Sequence, residues 1–191
     1  MHAKISLSPE ETALVLDPRW ILTKRSVMDK VAALLGDMAE RYRTLALHAP
    51  FGDRFPKLTR GENYEGLPYM ILDYPASWEQ EHAFAVRTFF WWGHYFALFL
   101  HLKGRYREQY APKILLSLGS SWRLAISDDE WIHTVHGEGY VGSPFNAEMP
   151  AYFKVAMTIP LNQWDNVYDL LEAGFREIMT WVSYPVGERG L

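Results

Sequence analysis

Residues Phe84 to Lys103 read FAVRTFFWWGHYFALFLHLK, and the placement of polar groups in this aromatic run decides how the chain folds. Arg87, Tyr95, His101 and Lys103 carry odd numbers, whereas Phe84, Val86, Phe90, Phe96, Leu98, Leu100 and Leu102 carry even ones, with Gly93 near the middle. Side chains alternate across a strand, so a period of two predicts two strands joined by a tight turn at Trp92-Gly93-His94. A connection of odd length keeps even positions opposite even positions. One face of the hairpin is then aliphatic. The other carries Arg87, Phe89, Trp91, Tyr95, Phe99 and His101, an aromatic surface holding a cation and an imidazole.

Read as a helix, the apolar part from Thr88 to Leu102 is about fifteen residues long, short of the roughly twenty that span a bilayer. The period of two argues against a helix in any case. No membrane association is expected.

On the N-terminal side of the hairpin, Leu67 to Tyr74, LPYMILDY, predicts a strand ended by Pro75, followed by a turn or helical segment at Trp78 to His82. Further upstream, Ser8-Pro9-Glu10-Glu11 supplies a cap, a first-turn proline and acidic residues for a short helix to about Leu16. Asp17-Pro18 restarts the chain. Trp20, Ile21, Val27, Met28, Val31, Leu34, Leu35, Met38, Tyr42 and Leu45 then recur at helical spacing, which predicts the strongest helix of the protein. Ala49 to Gly66 loses periodicity and gains Pro, Gly and charge, so it is expected to be an irregular connection.

Beyond the hairpin, Tyr106 to Leu118 has helical spacing interrupted by Pro112, and Trp122 to Ser127 predicts a short strand. Asp128-Asp129-Glu130 predicts the start of a small helix ending at Gly137. Gly137 to Pro150 is expected to be loop, and Tyr152 to Pro160 alternates as a strand. Asn162 is placed to cap a last helix with the apolar stripe Trp164, Val167, Leu170, Leu171, Phe175, Ile178 and Trp181. The expected fold is α+β, an antiparallel or mixed sheet of about five strands with helices packed mainly on one face.

The chain has 191 residues, 49% of them hydrophobic, which fits one domain spanning 1–191. Its 19 basic and 23 acidic residues give a formal charge of -4, so no global positive field collects phosphate backbones and nucleic acid is not an expected partner. Cysteine is absent, which removes disulfides and thiolate chemistry. With an N-terminus that lacks the pattern of a secretory signal, this points to the cytoplasm.

The stretches GENYEGLPYMILDYP, from Gly61, and RTFFWWGHYFALFLHLKG, from Arg87, resemble segments of an uncharacterised bacterial protein family. The resemblance covers 33 of the 191 residues. It implies a bacterial α+β domain and brings no activity, cofactor or catalytic residue.

The first candidate site is the odd-numbered hairpin face. Arg87 and His101, joined by Asp73 if the preceding strand pairs with the hairpin, would lie among Trp91, Tyr95 and Phe99, where a guanidinium fork and aromatic rings suit a small polar or anionic ligand. The competing explanation is a structural Arg87–Asp73 pair over an aromatic layer that underlies other elements. The second candidate is Glu130, His133 and His136, which spacings of three and six would place on one side of a helix as metal ligands. Helix-dipole complementarity explains those residues with less, and no metal is expected. The third is Thr59 to Gly66, where Arg60, Asn63 and Tyr64 offer hydrogen bonds but also suit an ordered turn. Gly119-Ser120-Ser121 and Gly142-Ser143-Pro144 lack the surroundings of a nucleophile elbow.

These residues point to a small-molecule-binding domain without an assignable catalytic set and with no cofactor indicated. Two alternatives remain: a hydrolase or transferase using His101 or His133 with a carboxylate partner, and an interaction domain that forms a homodimer through exposed aromatics.

Overall fold

The computed structural model describes residues 5–46, 55–142 and 149–183. Two helices open the chain, α1 (Pro9–Leu16) and α2 (Pro18–Leu45), and four strands follow as a meander: β1 (Lys57–Tyr64), β2 (Leu67–Trp78), β3 (Ala83–Trp91) and β4 (Tyr95–Lys103). Helix α3 (Arg105–Ser117), the short strands β5 (Arg123–Ala125) and β6 (Tyr140–Val141), the strand β7 (Phe153–Pro160), a 3-10 turn at Leu161–Asn166 and helix α4 (Val167–Val182) complete it. The strands form one antiparallel sheet in the order β1-β2-β3-β4-β7-β5-β6. The fold is α+β, with seven strands rather than five.

The hairpin register is the one that period two requires: Phe90 lies opposite Phe96, Val86 opposite Leu100 and Arg87 opposite Phe99. Even-numbered residues of β3, β4 and the odd-numbered residues of β7 point to the helices. Phe84, Val86, Phe96, Leu98, Leu100, Phe153 and Val155 form the main core there with Met28, Val31 and Leu35 of α2, Ile114 of α3, and Leu171, Phe175 and Ile178 of α4. Gly174 lets α4 settle close to the sheet, because a Cβ at that position would meet Met157 and Leu98.

Several expectations need correction. Lys57 to Tyr64 is an edge strand and not irregular chain; charged, exposed side chains hide its alternation, as is usual where an open edge must stay soluble. Strand β2 does not stop at Pro75 but runs to Trp78, with a register shift between Asp73 and Ala76 where the proline, lacking an N–H, is tolerated. Helix α3 continues through Pro112, and Asn162 lies within the 3-10 turn and caps nothing. Finally, no helix forms between Asp128 and Gly137; that segment is a sequence of turns. Parts of the two long connections, 47–54 and 143–148, lie outside the described residues, as do Ser143 and Pro144 of the serine motif.

Candidate functional site

The odd-numbered hairpin face is covered by the segment from Ile126 to Gly139, whose backbone is hydrogen-bonded by side chains rising from the sheet. Tyr95 Oη accepts from the Val135 N–H at 3.0 Å and donates to the His133 carbonyl at 2.8 Å. Tyr64 Oη accepts from the His133 N–H, and Tyr140 Oη donates to the Ile132 carbonyl. Lys154, fully buried, donates to the carbonyls of Asp129, Ile132 and, at a longer 3.3 Å, Glu130. These bonds stand in place of a helical ladder, and Asp129 Oδ1 accepts from the Trp131 N–H in a local turn. Local propensity is thereby overridden by partners far away in sequence.

Under this cover, Asp73 and Arg87 face each other directly across β2 and β3. Arg87 Nε and Nη2 donate to the two carboxylate oxygens at 2.7 and 2.9 Å, a bidentate pair almost removed from water. Arg87 Nη1 donates to His133 Nε2 at 3.1 Å, while His133 Nδ1–H donates to the Trp131 carbonyl at 2.7 Å. An arginine cannot accept, so this arrangement fixes His133 as the neutral Nδ1–H tautomer. Burial first, and then the Arg87 charge, push its pKa down to about 3.

His101 lies beside this group, opposite Ala85 on β3, with its ring 5.5 Å from Trp78 and Nδ1 3.0 Å from Tyr152 Oη. It is wholly buried, and among the described residues its Nε2 has no hydrogen-bond partner. Burial, followed by the charges of Arg87 and Lys154, holds it well below the ordinary imidazole range. Burial also lowers Lys154 to about 8, so it remains an ammonium at neutral pH.

A cleft of about 510 Å³ opens over the Asp73–Arg87 pair, lined also by Lys57, Trp78, Lys103, Glu130 and Trp131. Trp78 and Trp131 are 42% and 61% exposed, although their rings lie only 5.3 and 5.6 Å from the Arg87 guanidinium carbon. Arg87 has five N–H donors and uses three in the bonds above, so two are unused among the described residues.

No protein family, curated protein or solved structure matches this chain.

Of the residues singled out from the sequence, Asp73 and Arg87 are brought together at the cleft. His101 is packed next to them but does not reach its surface. Trp91 and Tyr95 sit at the turn end of the hairpin, four residues or about 13 Å along the strand from Arg87. There Trp91 stacks on His94 at 3.5 Å, and Tyr95 is engaged with the covering segment. Glu130, His133 and His136 do not converge either: His136 bonds Thr158, and among the described residues no group of three His, Cys, Asp or Glu is placed to hold a metal ion. Arg60 pairs with Glu62, and Tyr64 anchors the cover.

The residues missed are Trp78, Trp131, Lys57, Lys103 and Lys154. Trp78 carries an even number yet shares a face with Arg87, because the register shift after Asp73 reverses the alternation of β2. Pro75 is the one signal in the sequence that marks this.

Proposed function

We propose that the chain is a small-molecule-binding domain whose ligand is a flat, polar molecule with a hydrogen-bond acceptor, seated in the cleft between Trp78 and Trp131. The observation that carries this reading is the pairing of two solvent-exposed indoles with a guanidinium that retains two unused donors at the cleft floor. Exposed indole surface in a concave site favours stacking on a flat ligand, and the spare donors favour a carboxylate or similar acceptor. Arg87 keeps its shape without the ligand, since Asp73 and His133 already hold it, so little ordering is required on binding.

A catalytic role for His101 or His133 is not favoured. Both are buried and held neutral, neither has a carboxylate partner among the described residues, and a base near pKa 3, as at His133, is poorly matched to neutral pH.

Screening the protein by NMR against planar carboxylates such as benzoate and nicotinate, with their neutral amides as controls, tests the reading. The indole N–H signals of Trp78 and Trp131 should shift together, and more with the acids than with the amides. Shifts confined to other tryptophans would place binding elsewhere and remove the proposal.

A further inference from the structure

The apolar stripe of α2 continues past the sheet it packs on. From Met28 onward it is buried, but the same stripe runs back through Ile21 and Trp20, which are 47% and 43% exposed. Helix α1 adds Leu14, Val15 and Leu16 at 49%, 69% and 75%, and contributes no buried residue at all. Ile5, Leu7 and Leu22 are also exposed. Residues 5–27 thus form an arm in which every side chain is exposed or half-buried.

The arm is nevertheless locally well specified. Ser8 and Glu11 make a complete capping box with Pro9 in the first turn, and Asp17 caps α2 while pairing with Arg19. A capping interaction contributes about 1 kcal/mol, and an isolated helix shorter than roughly 12–15 residues is marginal in water. An eight-residue helix with nothing buried therefore needs an apolar surface to pack on.

We propose that this arm is a self-association surface that packs against the same arm of a second copy of the chain. The arm leaves eight large apolar residues uncovered, and its 23 residues match the roughly 20–30 that each partner gives to a standard interface. The charges also suit a two-fold contact, in which one patch meets itself. Acidic Glu10 and Glu11 open α1, and basic Arg19 and Arg25 lie at the start of α2. Two arms running in opposite directions bring the acidic start of α1 toward the basic residues of the partner's α2. The arm's three acidic residues, Glu10, Glu11 and Asp17, balance its three basic ones, Arg19, Lys24 and Arg25, so no net positive charge draws it to an anionic membrane surface.

The test is the mass of the full-length chain in solution over a wide concentration range, by light scattering or sedimentation, for the wild type and for the Leu16→Glu, Ile21→Glu variant. The wild type should dimerise, and the variant should raise the dimer dissociation constant by more than about tenfold. Both side chains are exposed, so the variant should melt like the dilute wild type, while only the wild-type melting temperature should rise with concentration. Three results overturn the proposal: a wild type that stays monomeric throughout, a dimer that survives both substitutions, or a monomer that sediments with anionic phospholipid vesicles through this arm.

Discussion

Asp73 and Arg87 are cross-strand partners that also form a two-point ion pair, so the only described contact between a carboxylate and this guanidinium is set by the sheet register itself. A pair this deeply buried offsets its desolvation only if both members remain. It also holds the guanidinium rigid at the floor of the cleft, which links the register of β2 and β3 to the proposed binding geometry.

Replacing Arg87 with Ala should cost about 3–5 kcal/mol, the usual consequence of leaving a buried carboxylate unpaired. Adding Asp73→Ala should recover part of that loss, with the remainder reflecting the bond from Arg87 to His133. Urea unfolding of the single and double variants measures both. A double variant no more stable than Arg87→Ala would show that the pair does not govern stability here.

Leu98 and Leu100 project from β4 into the helix-facing core and are fully buried. Truncation of either to Ala is expected to remove about 2–5 kcal/mol. A change below about 0.5 kcal/mol, typical of surface sites, would contradict the packing described.

The hairpin was legible because its two faces differ in chemistry and Gly93 readily adopts the left-handed φ of 76° that the three-residue turn uses. Asp73 was legible for the same reason, as a lone charge on an apolar strand next in the chain. Trp78 was hidden by the register shift, and β1 by its exposed charges. Trp131 and His133 lie on a segment whose spacing reads as a helix that does not form. Its path depends on Tyr64, Tyr95, Tyr140 and Lys154, whose hydroxyls and ammonium bind its backbone, and such long-range partners leave no local pattern.

His101 and His133 are both held neutral in the fold below the ordinary value of 6.5. The unfolded chain consequently takes up protons first as pH falls, so stability is complete above about 6.5 and declines below it, by about 1 kcal/mol per pH unit for each histidine. For His133 the decline ends near pH 3, where the folded state protonates as well. Denaturation midpoints between pH 7 and 5 should show this slope, and His133→Gln should make it shallower. A slope unchanged by that substitution would mean that His133 is not held neutral.

Lys154→Met should loosen the cover without unravelling the sheet, since the ammonium supports the carbonyls of Asp129, Glu130 and Ile132. A loss of about 1–3 kcal/mol is expected for the carbonyls left unbonded. Amide hydrogen exchange should accelerate between Asp129 and Val135 and stay slow in β3 and β4. Uniform acceleration across the sheet would instead assign Lys154 to the global fold.

If Trp131 and Trp78 wall the proposed binding site, calorimetric titration of the strongest planar acid into wild type and Trp131→Ala separates binding from folding. Trp131 is 61% exposed, so its removal should leave the melting temperature nearly unchanged. Affinity should fall by at least about tenfold, as for an aromatic side chain that anchors a ligand. Equal affinity in two equally stable proteins would contradict the account.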